Sequence, residues 1–208
     1  MVRLMEQQEI YEIRQRNIPV RMGYAIMQAA AWPGRMLGWL NVVIIIAVLS
    51  AVVGSLLRMN ILFEWGFYIP VFGTELSLTG VSELQWHLFG LNVMLGGAYT
   101  LLSDRHIRVD FIYGRLTPRW QSVVDIVGDL LFLIPFCVLM VWLSQSFIHI
   151  AYISGEKSDY GGLMDRYLIK TIIPIGFAVL AVSGLGRVIL NLGRVWETLP
   201  QNTRGDEA

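Results

Sequence analysis

Cysteine occurs once in the 208 residues, as Cys137. A lone thiol excludes an intramolecular disulfide, a CxxC redox pair and a thiolate metal cage. Its apolar surroundings suit a small packed hydrophobe. Charge is scarce as well, at 15% of residues, where an ordinary soluble domain carries about 25%. That deficit argues against a disordered tail, a nucleic-acid binder and most soluble enzymes. The 16 basic and 16 acidic residues cancel, so no general attraction to polyanions follows. The chain has no Walker motif, no HExxH, no nucleophile–base pair and no phosphate-cradling glycine loop. An enzyme is therefore not expected, and no cofactor or metal is assigned. Internal repeats and low-complexity tracts are missing too, as are the paired broken helices of a self-contained inverted-repeat transporter.

What fills the chain is apolar. Hydrophobic residues make up 55%, with a mean hydropathy of +0.55, 20 glycines and 7 tryptophans. Four runs approach the roughly 20 residues needed to cross a hydrocarbon core, at about 36–57, 84–102, 123–148 and 168–190. Helices are the open-ended way to satisfy a backbone in lipid. The expected fold class is therefore an all-α integral membrane protein with four transmembrane helices. The second run is the weakest, because it holds Gln85, His87 and Asn92. The first is expected to stay as a signal-anchor, being longer than a cleavable signal core and lacking a clean cleavage site.

Arginine and lysine set the orientation. Arg3, Arg14, Arg16, Arg21 and Arg35 precede the first span, and Arg105, Arg108, Arg115 and Arg119 lie between the second and third. Arg187, Arg194 and Arg204 lie near or after the end of the fourth. The other two loops hold only Arg58, Lys157, Arg166 and Lys170. Both termini are therefore expected in the cytoplasm. The chain divides into a cytoplasmic or interfacial segment (1–35), a four-helix transmembrane domain (36–194) and a cytoplasmic tail (195–208). Val20–Trp32 reads as a surface helix along the inner leaflet. Ile61–Gly73 reads as an interfacial or re-entrant piece on the outer face, too short to span and interrupted by Pro70.

Three clusters could carry chemistry. The loop Ser103–Asp110 alternates Arg and Asp around His106, Arg108 and Asp110. It suits either a fixed turn, a docking point or a plain stop-transfer signal. Asp125 and Asp129 share a face of the third span. An ionised carboxylate in a membrane needs a partner or a polar cavity. A proton relay is one reading, and pairing with Arg105, Arg108 or Arg115 near the headgroups is the other. The outer loop from Ser154 to Leu163 holds Glu156, Ser158 and the Gly161-Gly162 turn, suited to a docking surface or a solvated hairpin. His87 and His149 fall at similar depth, so a haem-b electron-transfer subunit is an alternative. A stand-alone proton-coupled carrier using Asp125 and Asp129 is a second.

In order along the chain stand Trp86, Leu88-Phe89, Gly96-Gly97-Ala98-Tyr99, His106-Ile107-Arg108-Val109-Asp110 and Arg115-Leu116-Thr117-Pro118-Arg119-Trp120. Pro135-Phe136, Glu156, Ser158, Gly161-Gly162-Leu163, Lys170 and Ile173-Pro174-Ile175-Gly176-Phe177 follow. From about Trp39 to Arg187 this series resembles the small, four-helix membrane subunit of tripartite ATP-independent periplasmic (TRAP) transporters, the DctQ-like family. Ile107 replaces the first Val of that family's His-Val-Arg-Val-Asp signature. The resemblance implies a bacterial inner-membrane, multi-pass subunit that braces a large multi-span elevator subunit. It also implies a periplasmic binding protein that delivers substrate, with uptake driven by an ion gradient. Membrane lipid is the other expected partner, and nucleic acid is not one. The N-terminal extension and the long first outer loop, Arg58 to Glu83, are similar to a subgroup that takes up organic carboxylates such as 2-oxo acids. His106, Arg108 and Asp110 are then expected in inner-loop architecture or subunit contact. Glu156, Ser158, Gly161 and Gly162 are expected near the binding-protein face.

Overall fold

The computed structural model describes residues 18–103, 113 and 115–197. Helix α1 (Ile18–Leu37) and helix α2 (Leu40–Leu56) follow each other with only Gly38 and Trp39 between them. An antiparallel hairpin comes next, β1 (Ile61–Ile69) with β2 (Gly73–Ser77). Helix α3 (Leu78–Leu102) starts directly from β2. After the 103–117 connection, α4 (Pro118–Gly128), a π-helical turn (Asp129–Leu133) and α5 (Ile134–Ile153) form one rod. The short α6 (Arg166–Lys170) leads into α7 (Ile172–Glu197).

Among the described residues, three helical stretches are long and apolar enough to cross a membrane: Ile18–Leu56, Pro118–Ile153 and Arg166–Trp196. Helix α3 has the length, at 25 residues, but its Gln85, His87 and Asn92 hold its hydropathy below theirs. The all-α expectation needs one correction. The apolar piece over Ile61–Gly73 is extended and forms part of the hairpin. Its β-branched and aromatic run, Ile-Leu-Phe-Glu-Trp-Gly-Phe-Tyr-Ile, suits an extended strand. Pro70 then sets φ for the turn into β2.

Helix α7 is the central rod, packed on α1, α3, α4 and α5. Phe136 meets Phe177 edge to face, with ring centroids 5.7 Å apart. Further along the same pair of rods, Leu133 lies over Gly184, so α5 runs antiparallel to α7. Asn92 donates to Asn41 at 2.9 Å, and Leu78 lies over Gly54, which sets α2 antiparallel to α3. Pro135 lies inside the third apolar run, where a proline ordinarily kinks a helix. The irregularity is the π-helical turn ending two residues before it, which relieves the clash of a proline ring with the carbonyl four residues back.

The segment read as a surface helix, Val20–Trp32, packs on the other helices. Val20, Gly23, Met27, Ala30, Ala31 and Gly34 of α1 are buried. Met27 joins Leu101 of α3 and Leu190 of α7 in the core cluster. Helix α1 thus packs as part of the described bundle. Small residues make this packing possible. A Cβ on Gly23 would stand 2.5 Å from the Gly186 carbonyl oxygen and the Leu190 nitrogen. Gly23→Leu is therefore expected to force α1 off α7. The expected cost is about 2 kcal/mol, a fall in Tm of about 6 °C for the full chain in detergent. Gly90→Ala is the control, since a Cβ there meets nothing within 4 Å. Equal melting of the two variants would show that α1 does not need this contact.

Candidate functional site

The polar residues of the described chain gather at two places: where the hairpin meets the 154–170 connection, and halfway between α4 and α7.

The first is a latch built around Glu83, in the second turn of α3. Its carboxylate accepts from the Ser158 hydroxyl at 2.6 Å, the Leu163 amide at 2.9 Å and Arg166 Nη2 at 3.4 Å. Ser158 and Leu163 are buried, and the Ser158 amide donates to the Leu163 carbonyl at 3.0 Å. The loop is thus folded on a helix-borne carboxylate. A Cβ on Gly162 would displace the Glu83 carboxylate and stand 2.9 Å from Ser158 Oγ, so glycine lets these two groups meet. Gly161 has φ +69°, a conformation glycine adopts without strain, and its carbonyl accepts from the Ser77 hydroxyl at 2.8 Å.

Glu156 forms the second half of the latch. Lys170 Nζ donates to it at 2.5 Å. Arg166 Nη1 stands 4.0 Å away. The Lys170 ammonium also sits 3.9 Å from the centre of the Phe147 ring, a cation–π contact. The hairpin closes the latch from above. Val71 has φ +75° at the third position of the Ile69–Phe72 turn, a place that ordinarily favours glycine. Its carbonyl accepts from the Met164 amide at 2.7 Å, so the loop holds the strained turn. The Tyr68 hydroxyl donates to the Asp165 carboxylate. That bond raises the phenol above its ordinary value, with desolvation and the charge of Asp165 acting in the same direction.

The second site is the Asp129 carboxylate, fully buried in the π-helical turn. Arg187 of α7 grips it with two bonds, Nε to Oδ2 at 2.6 Å and Nη2 to Oδ1. Arg187 of α7 lies opposite Asp129; of the expected partners, Arg105 and Arg108 lie outside the described residues. Arg187 therefore lies inside the helix pair rather than marking the end of a span. Asp125, one turn earlier, accepts from the Tyr113 hydroxyl at 3.0 Å. Ser122, Ser183 and Asn191 are buried in the same helix layer.

The remaining sequence-derived residues divide clearly. Glu156, Ser158, Gly161 and Gly162 come together in the latch. His106, Arg108 and Asp110 lie outside the described residues. His87 and His149 do not converge. The His87 Nδ1–H donates to the Glu83 carbonyl at 2.5 Å. His87 lines a cleft with Phe147. His149, two residues further along α5, lies about 200° around the helix from Phe147 and is exposed. Sequence reasoning missed Glu83 and Arg187 as site residues, although each is a formal charge at the margin of an apolar run. In a membrane segment that alone signals a partner.

Residues 68–194 match the family model described as Tripartite ATP-independent periplasmic transporters, DctQ component. No curated protein and no solved structure matches the chain. The matched residues include both the latch and the buried Asp129–Arg187 pair.

Proposed function

The chain belongs to the DctQ component family of TRAP transporters, and on that premise we propose that it is the non-catalytic brace of a secondary uptake system. It is an integral membrane protein and a transporter component. At the level of the family, such components work with a large permease subunit and a substrate-binding protein. In this reading α3 is the fourth span and both termini face the cytoplasm of the bacterial inner membrane. The chain enlarges the fixed part against which the large subunit moves. The latch faces the periplasm and helps seat the binding protein during ion-gradient-driven uptake of an organic acid. Asp125 and Asp129 serve architecture, and His106, Arg108 and Asp110 serve the inner loop or the contact with the large subunit.

The observation that carries this reading is the closed state of Asp129. A carboxylate held bidentately by arginine between two rods is a strut, since neither group is left to bind and release an ion. Mild-detergent purification of the tagged chain from its native membrane is expected to bring down a multi-span partner, with no Soret band in the eluate. A Soret band would revive His87 and His149 as haem ligands. The chain alone in liposomes is expected to transport nothing, and uptake there would favour the carrier using Asp125 and Asp129. Arg108→Ala is expected to lower recovery of the complex or uptake several-fold. Normal assembly together with normal uptake would remove Arg108 from the interface.

A further inference from the structure

Among the described residues, three that are not glycine take a left-handed backbone: Arg58, Val71 and Asp165. All three belong to the hairpin or to the loop it touches. Arg58 stands at the hairpin's root, just after α2. Val71 is its tip. Asp165 lies against that tip and opens α6. Two of them suit their places. Arg58 holds the position after a helix where this conformation is usual, with its amide and that of Met59 donating back to Ser55 and Gly54. Aspartate tolerates a left-handed backbone better than most residues do. Val71 has neither advantage, and a positive φ in a β-branched residue is a marked outlier.

The 154–170 connection has two anchorages. One is on the helices: the Leu163 amide and the Ser158 hydroxyl donate to Glu83 of α3. The other is on the hairpin: the Met164 amide donates to the Val71 carbonyl, Tyr68 to Asp165, and Ser77 to the Gly161 carbonyl. Leu163 and Met164 are adjacent, yet their amides are held by different elements. The hairpin packs on the helices mainly where β2 runs into α3, and its Phe63 and Phe67 are exposed. It keeps its own shape, with the Trp65 indole N–H donating to the Gly73 carbonyl at 2.9 Å. We propose that the hairpin is a spring-loaded flap, whose tip lifts off the 161–165 segment while that segment stays on Glu83. The strain of a left-handed valine and the net gain of one hydrogen bond are of the same order, so the closed and open forms lie close in free energy. Release lets Val71 return to negative φ. The Ile69–Phe72 turn can keep its own bond, Phe72 amide to Ile69 carbonyl, because a type I turn accepts most residues at that position. Opening uncovers the Met164 amide and the Asp165 carboxylate, a donor and an acceptor side by side at the latch.

The inference rests on the fold alone and not on the transporter partners. The test is residue-resolved amide exchange of the full chain in detergent, corrected for intrinsic rates. The Met164 amide is expected to exchange at least about tenfold faster than the Leu163 amide beside it. Val71→Asn keeps a side chain but tolerates the left-handed backbone, and is expected to slow Met164 about tenfold with Leu163 unchanged. Tyr68→Phe removes a bond to a charged acceptor and is expected to speed Met164 about tenfold, again with Leu163 unchanged. Equal exchange of Met164 and Leu163 in the wild type would overturn the proposal in favour of one rigid latch. Met164 exchange that Val71→Asn does not slow, or that Tyr68→Phe does not speed, would overturn it too, since the tip would then store no strain or the clasp would not hold it.

Discussion

Asp129→Ala is expected to cost about 3–5 kcal/mol, because it strands the Arg187 guanidinium inside the helix pair. The side chain of Arg187 is only 17% exposed, so water cannot take over from the lost carboxylate. For a chain of this size that loss lowers Tm by about 10 °C or more, read by tryptophan fluorescence of the detergent-solubilised chain. Arg187→Ala should lose a similar amount, leaving the buried carboxylate alone. The informative variant is the double one. Asp129→Leu with Arg187→Met replaces the pair by apolar side chains, and buried pairs exchanged in this way are often no less stable. The double variant is therefore expected to melt near the wild type and to support uptake in the complete transport system. A strut tolerates that exchange, whereas an ion-relay carboxylate does not. Restored stability with abolished uptake would make Asp129 part of the transport chemistry. A single variant that melts like the wild type would remove the pair from the architecture altogether.

Glu83→Ala is the second large effect, and it is local. It removes the acceptor of the Ser158 hydroxyl, the Leu163 amide and Arg166 together. Leu163 is 1% exposed, so its amide would be left buried and unpaired at about 1–3 kcal/mol, with the lost Ser158 and Arg166 bonds added to that. The expected result is amide exchange faster by about a hundredfold over 156–166, with α5 and α7 unchanged. Glu83→Gln keeps a single acceptor oxygen and should fall between the two. Unchanged exchange in Glu83→Ala would mean that the hairpin contacts of Val71, Ser77 and Tyr68 hold the loop without it. If the latch seats the binding protein, the same variant weakens that docking while leaving the complex with the large subunit intact.

The packing also explains how α3, less apolar than the three span-length stretches, is accommodated. It faces α1 and α2 on one side and α7 on another, so less of it meets lipid. Its Asn92 is bonded to Asn41 of α2, Glu83 to the 158–166 loop, and His87 to the backbone of its own helix. Of the polar residues that weakened the second span in the sequence, His87 and Asn92 have local partners in the fold. By contrast, Val42, Ile45, Ile46, Leu49 and Val53 of α2 are exposed on the chain's own surface, as a helix facing lipid or another subunit requires.

The sequence by itself determined the long apolar rods, because run length and the cost of an unsatisfied backbone in lipid leave helix as the answer there. It also located the 154–163 turn and the family signature, because glycines and the order of motifs are readable without coordinates. Only the tertiary structure decided which charges meet. Glu83 and Ser158 are 75 positions apart, and Asp129 and Arg187 are 58 apart. Helical periodicity says which side chains share a face, but not which rod lies opposite. The same limit hid the docking of α1, whose apolar residues form no clean stripe because glycine and alanine supply much of its buried face. It hid the hairpin too. Over nine residues an apolar run is equally short for a span and long for a strand, and only the pairing of Ile61–Ile69 with Gly73–Ser77 resolves it.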